Sequence, residues 1–182
     1  MLKLTGGELR GRNVECPPGK EIRPTSSKAR QGIFNTLFSM GFKTEDAKVL
    51  ELFAGTGLMS FEAISRGANS AVLVDAAKTS LDVISKNVEK LKINDRVRLV
   101  KNDALLFVER SDLSSYDLIY LDPPYRYTGY GDLVSVMMSK ISENTIVIAE
   151  SDRDIINEIK APCDVVKIKN WGKSKAFFFK RK

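Results

Sequence analysis

The sequence contains no histidine. That excludes Ser-His-Asp hydrolysis, histidine-ligated zinc and imidazole acid–base chemistry. Catalysis, if there is any, must rest on carboxylates, lysines, tyrosines or the backbone. Cysteine is scarce as well: Cys16 and Cys163 are the only two, far apart and with no CxxC spacing. Free thiols are expected rather than a disulfide framework or a metal cage. No apolar run approaches the length of a bilayer span. The opening MLKLTGGELRGR lacks the apolar centre of a secretory signal. These absences lead us to expect a cytoplasmic protein with no membrane partner and no metal site.

What is present begins with size. A chain of 182 residues supports one full core rather than two large domains. The net charge of +6 is unevenly spread. Residues 1–44 hold 8 Lys/Arg against 3 Asp/Glu, residues 160–182 hold 8 against 1, and the stretch between is net acidic. Basic clusters are the electrostatic footprint of a nucleic-acid partner, whereas an acidic centre suits a cationic ligand. Solvated surface charge would explain the same numbers more plainly.

Residues 1–20 read as short strands joined by turns at TGGE (5–8) and CPPGK (16–20). Ser26 or Ser27 caps a helix whose apolar residues Ile33, Phe34, Leu37 and Phe38 share a face, and Gly41 ends it. We take residues 1–44 as a hairpin-and-helix appendage and residues 45–182 as the main domain. From residue 45 strands alternate with helices: strands at 48–53, 70–75, 97–101, 116–122 and 144–151, helices at 57–67, 78–92, 104–110, 130–141 and near 153–160. Such alternation predicts an α/β, doubly wound, mostly parallel sheet covered on both faces. The tail CDVVKIKNWGKSKAFFFKRK holds two strand-like runs around Trp171-Gly172 with no helix between them, so the last strand should run antiparallel.

LELFAGTGLMS places Gly55 and Gly57 between the first strand of this alternation and the first helix, where a tight turn lets a ligand approach the backbone. A dinucleotide and S-adenosylmethionine both fit that position. The dinucleotide pattern GxGxxG needs a third glycine where Ser60 stands, and a pyrophosphate wants few nearby anions. Here Glu51 precedes the turn and Asp75, Asp103 and Asp122 lie at three further strand ends. Four acids favour the cationic sulfonium and ammonium of S-adenosylmethionine. Asp75, 18 residues after Gly57, is placed to accept hydrogen bonds from ribose hydroxyls.

The stretch IYLDPPY drives a hydrophobic strand into Asp122, Pro123, Pro124 and Tyr125. Taken alone it is a strand terminator beside a tyrosine. Beside the glycine turn it suits methyl transfer to the exocyclic amine of a base. A carboxylate and a fixed proline carbonyl accept the two N–H groups and draw the lone pair out of conjugation, while the ring stacks on the base.

LELFAGTG and LDPPY together resemble the Rossmann-like S-adenosylmethionine-dependent methyltransferases that modify base amino groups. GGELRGR (6–12), RPTSSKARQGIFN (23–35), FEAISRGA (61–68) and VLVD (72–75) narrow the likeness to the bacterial 16S rRNA (guanine(966)-N(2))-methyltransferase family, over nearly the whole chain. This resemblance implies a Rossmann-like methyltransferase fold with a seven-stranded sheet. It implies that Glu51, Phe53, Gly55 and Gly57 border the amino-acid part of the cofactor, that Asp75 binds its ribose, and that Asp103 with Ala104 meets the adenine. Asp122, Pro123, Pro124 and Tyr125 would handle the target amine. Arg10, Arg12, Arg23 and Arg30 would contact 16S rRNA, within a 30S subunit or a late assembly particle, and a monomer is expected. The competing readings are an adenine-N6 methyltransferase, a non-catalytic RNA-binding protein and a nicotinamide-dependent oxidoreductase.

Overall fold

The computed structural model describes residues 2–16, 25–172 and 174–182; the expected turn at 16–20 therefore falls largely, and Arg23 wholly, outside the described residues. The chain opens with two short antiparallel strands, β1 (Leu2–Lys3) and β2 (Asn13–Val14). Helix α1 (Ser27–Ser39) follows, with Ser26 as its cap: the Ser26 hydroxyl accepts from the Ala29 N–H at 3.2 Å. Gly41, just past its end, takes the left-handed conformation that stops a helix (φ 78°). Ile33, Phe34 and Leu37 enter the core as expected, but Phe38 does not; it is 82% exposed. At about 100° per residue Phe38 sits roughly 140° round the helix from Ile33 and about 40° past Phe34, just outside the edge of the buried stripe.

Seven strands make the sheet: β3 (Lys48–Leu52), β4 (Ser70–Asp75), β5 (Val97–Lys101), β6 (Leu118–Leu121), β7 (Ile146–Ser151), β8 (Cys163–Trp171) and β9 (Ser174–Arg181). Their spatial order is β5-β4-β3-β6-β7-β9-β8. Pairs from β5 through β7 are parallel, while β9 is antiparallel to both β7 and β8. Helices α2 (Leu58–Ser65), α3 (Lys78–Leu91), α4 (Ala104–Arg110) and α5 (Tyr130–Lys140) supply the covers. Strand alternation sorts the core into two layers. Val49, Leu73, Tyr120 and Ile148 pack beneath α1, α2 and α3, while Leu50, Val74, Leu121 and Ala149 pack beneath α4 and α5. The sheet is thus doubly wound, with the antiparallel last strand that the tail predicts. None of the helices among the described residues is long and apolar enough to cross a membrane.

The helix expected near 153–160 is a single 3-10 turn, Ile156–Glu158. Asp154 leads into it, accepting from the Ile156 N–H at 3.0 Å, but the Lys160 and Ala161 amides that a longer helix would use donate to the Ser135 hydroxyl at 3.0 and 3.3 Å.

Arg30 corrects another expectation. Its side chain is fully buried, so it offers nothing to an RNA backbone. Its Nε donates to Glu62 at 3.0 Å, and the guanidinium also donates to the carbonyls of Thr25 and Lys3. Glu62, equally buried, further accepts from the Thr5 N–H and hydroxyl, both at 2.9 Å, and pairs with Arg66. Arg30 is therefore the tie that joins the N-terminal strand, α1 and α2. Arg30→Ala should lower unfolding stability by about 3 kcal/mol, since it strands part of a buried charge cluster. Phe38→Ala should leave stability within about 0.5 kcal/mol. Urea denaturation of the two variants checks both expectations; equal losses would contradict the assignment.

Candidate active site

In a sheet of this topology ligands meet the chain at the carboxyl ends of the parallel strands. After β3 the backbone turns sharply. Phe53 (φ 55°), Gly55 (φ 53°) and Gly57 (φ 69°) are all left-handed, and the Gly57 N–H reaches back to the Ala54 carbonyl at 2.6 Å. A Cβ on Gly57 would lie 2.8 Å from the Leu73 side chain, so the turn nests directly on β4. Phe53 holds its strained backbone with no glycine's freedom, a cost that recurs at ligand sites. Its ring meets Tyr127 edge-on at 5.1 Å, and Tyr127 in turn meets Tyr130 at 5.4 Å.

Asp75 ends β4 and braces this turn. One carboxylate oxygen accepts from the Gly55 N–H at 2.8 Å and the other from the Ala77 N–H at 2.8 Å. An ionised carboxylate has about four acceptor positions, so both oxygens retain capacity for a diol. Asp103 caps α4, one oxygen accepting from the Leu105 and Leu106 amides at 2.9 and 3.1 Å, and Ala104 beside it is buried. Glu51 lies under the turn, buried, accepting from the Ser60 N–H at 2.7 Å. Burial pushes its carboxyl up to about 7, against hydrogen bonds from Ser60 and Met59 that pull it down.

Asp122 follows β6, which lies beside β3, so it opens onto the same crevice. Strand alternation puts Asp122 on the same sheet face as Glu51 and Tyr120, and the β6–β7 register sets it level with Glu150. Burial, then the charges of Glu150 and Glu51, push the Asp122 carboxyl well up; Thr25 opposes this, its hydroxyl 3.5 Å from the carboxylate. Pro123 is buried, whereas Pro124 and Tyr125 are exposed. The Pro124 carbonyl accepts from the Tyr127 N–H at 2.8 Å and closes the loop into a turn.

The expected residues Glu51, Phe53, Gly55, Gly57, Asp75, Asp103, Ala104, Asp122, Pro123, Pro124 and Tyr125 thus line one edge of the sheet. Arg10 and Arg12 do not join them. Arg12 donates to the Lys90 carbonyl at the far end of α3, and the neighbouring Glu8 amide donates to the Ser65 carbonyl at the end of α2. A 14-residue helix, about 21 Å long, separates that end from the crevice. Sequence reasoning missed Thr25, Tyr120, Tyr127 and Glu150. Glu150 had a visible signal, a lone acid in the apolar run IVIAES.

The left-handed turn admits a group against its backbone, the Asp75 oxygens suit a ribose diol, and the crowded acids want positive charge. These features fit S-adenosylmethionine. A clear pH dependence follows. Glu51 binds its proton more tightly folded than unfolded, so its contribution to stability should fall as pH rises from about 4.5 through about 7, beside contributions of the same sign from Asp122 and Glu150. Glu51→Gln, neutral throughout, should lessen the decline in melting temperature between pH 5 and 8. An undiminished decline would refute the assignment of Glu51.

The chain matches the family described as conserved hypothetical protein 95 over residues 2–180. Among curated relatives, ribosomal RNA small subunit methyltransferase D of Escherichia coli K12 is 27% identical over 154 residues, covering 84% of this chain and 75% of that protein. The protein of the same name from Haemophilus influenzae is 25% identical over 157 residues, covering 84% and 80%. The solved structure of yhhF from Escherichia coli superposes with a TM-score of 0.84 at 24% identity, over 100% of this chain and 98% of that one. A structure of SMU.776 complexed with SAH has a TM-score of 0.69 at 20% identity, over 88% and 50%. These two likenesses concern the fold. With the family match spanning almost every residue, this chain belongs to the conserved hypothetical protein 95 family.

Proposed function

We propose that the protein methylates the exocyclic N2 amine of a guanine in 16S rRNA, using S-adenosylmethionine and acting as a monomer on the small ribosomal subunit or its late assembly particle. One observation carries this reading: Asp122 leaves β6 directly beside the glycine turn after β3, so an amine acceptor and a cofactor cradle share one crevice. Relatives named ribosomal RNA small subunit methyltransferase D support the rRNA substrate, and the SAH-bound neighbour supports the cofactor.

Residue roles follow from chemistry. The cofactor supplies an electrophilic methyl group on a cationic sulfur. Asp75 would hold the ribose hydroxyls, Asp103 with Ala104 the adenine edge, and Glu51 with Phe53 the amino-acid end. Asp122 accepts one N–H of the target amine and the Pro123 carbonyl the other, which localises the nitrogen lone pair. Tyr125, half-exposed at the mouth, offers its ring to the base. Pro124 fixes the loop between them.

The RNA surface is best sought on the same edge of the sheet. In the strand register Glu150 is level with Ala176, and Ala176 with Lys169; Lys175 pairs with Ser151. Three strand spacings of about 4.8 Å put Lys169 about 14 Å from Asp122. Trp171 lies at the end of the same strand, against α1 at Gly32. Lys169 and Lys175 therefore stand where phosphates flanking a target nucleotide would pass, whereas exposed Arg10 and Arg12 would meet only more distant RNA.

Transfer of labelled methyl to 30S particles, free rRNA and DNA, followed by nucleoside analysis, tests the reading; N2-methylguanosine in 16S rRNA is expected. Asp122→Ala should lose at least about 100-fold in transfer rate while keeping cofactor affinity. Lys169→Glu with Lys175→Glu should raise KM for the particle and flatten its salt dependence. Methyl-adenosine in DNA as the only product would overturn the proposal.

A further inference from the structure

Behind Asp122 lies a chain of polar side chains, Tyr120 and Glu150 buried and Thr25 partly so, that the crevice itself does not use. The Tyr120 hydroxyl donates to Glu150 Oε1 at 2.7 Å. The Thr25 hydroxyl stands 3.1 Å from the Tyr120 oxygen and 3.5 Å from Asp122 Oδ2. Each end is pinned. The Tyr130 hydroxyl donates to the Glu150 carbonyl at 2.7 Å, and the buried Arg30 guanidinium donates to the Thr25 carbonyl. A buried glutamate in a central strand is costly unless it is hydrogen-bonded and put to some use. Tyr120 spends its one proton on Glu150, so its oxygen faces Thr25 as an acceptor. The single Thr25 proton then has three claimants, Tyr120, Asp122 and Glu150.

We propose that Glu150 is a positioning residue for Asp122, linked to it through Tyr120 and Thr25, and that it holds Asp122 as the acceptor of the proton the target amine loses. The proposal rests on the reading of Asp122 given above. In the transfer step the amine lone pair forms the new N–C bond, and the methyl–sulfur bond breaks with its electron pair left on sulfur. The displaced N–H proton passes to Asp122 and leaves to water once the product departs. An ordinary aspartate is a poor proton acceptor. Here Glu51 faces Asp122 from β3, Glu150 from β7, Tyr130 from α5 and Tyr120 from its own strand. A negative Glu150 makes Asp122 more basic, and the Thr25 hydroxyl limits how far.

The neighbouring charge gives a direction for the Glu150 side of the chain. Glu150→Gln removes a neighbouring negative charge, so the acid limb of the pH–rate profile should move down by about one pH unit. Tyr120→Phe should move it the same way, because Glu150 without its donor stays protonated. Thr25→Val should move the limb less than Glu150→Gln does, because Thr25 lowers Asp122 and Glu150 alike, and Thr25→Ser should leave it in place. Single-turnover transfer between pH 5 and 9 reads these limbs. A carbon-13 carboxyl NMR titration of the cofactor-free protein reads the Asp122 displacement without any turnover. Unmoved limbs and titrations in Glu150→Gln and Tyr120→Phe, with only the plateau rate or melting temperature lowered, would overturn the proposal. Should Glu150→Gln fail to fold, Tyr120→Phe keeps shape and volume and decides alone. If wild-type protein transfers nothing to rRNA, the functional reading fails, and the NMR displacements still decide whether the chain of residues acts on Asp122.

Discussion

Three carboxylates share one face of a parallel sheet at its carboxyl edge, and much of the molecule is arranged around that crowding. Glu51, Asp122 and Glu150 come from three adjacent strands, β3, β6 and β7. Their mutual repulsion is tolerated because each has a separate remedy. Glu51 takes a backbone amide of α2, Glu150 takes the Tyr120 hydroxyl, and Asp122 opens to the crevice with Thr25 behind it. Burial pushes these acids toward their neutral forms, a pyrophosphate would push them further, and a sulfonium beside them restores their charge, so the face is better matched to the cation. Ligand preference thus follows from which strand positions carry acids, more than from the glycine turn, which many nucleotide-binding proteins share.

The N-terminal segment belongs to this arrangement rather than hanging from it. Glu62 gathers Thr5, Arg30 and Arg66, and Arg30 fixes the carbonyl of the threonine that touches Asp122. Leu4, Val14, Ile33 and Leu37 lie in the same apolar layer as Phe61 and Ile64 of α2. A hairpin and helix that read in the sequence as an addition are therefore packed into the core, and Thr25, just ahead of the helix, reaches the crevice at Asp122. The physical reason is that α2 is buried along its whole length, and one sheet face cannot bury a helix all round.

Local patterns made the alternating elements legible. The strands over 70–75 and 97–101 and the helix over 104–110 stand where hydrophobic period and capping place them. Gly55, Gly57, Asp75 and Asp122 were legible because strand ends and tight turns have local signatures. What stayed hidden was tertiary. Arg30 looks like any basic residue on a helix until Glu62, 32 residues away, is folded against it. Phe38 looks like core until the helix is turned to its neighbours. Tyr120 and Thr25 are 95 residues apart, and no spacing rule connects them. The row from Glu150 to Lys169 needs the β7–β9–β8 register, which a sequence does not display.

That register has a consequence for how the chain assembles. β8 precedes β9 in the chain, yet it reaches the sheet only through β9. During vectorial synthesis β8 emerges with no strand to pair with, while β7 presents an open edge lined by Val147 and Ala149. Closure waits for Phe177, Phe178 and Phe179 to be threaded into an interior slot, a late and non-local event. The nascent chain accordingly passes through a stage with an apolar strand edge exposed, a stage at which chaperone capture or mispairing with another copy competes directly with completion of the sheet.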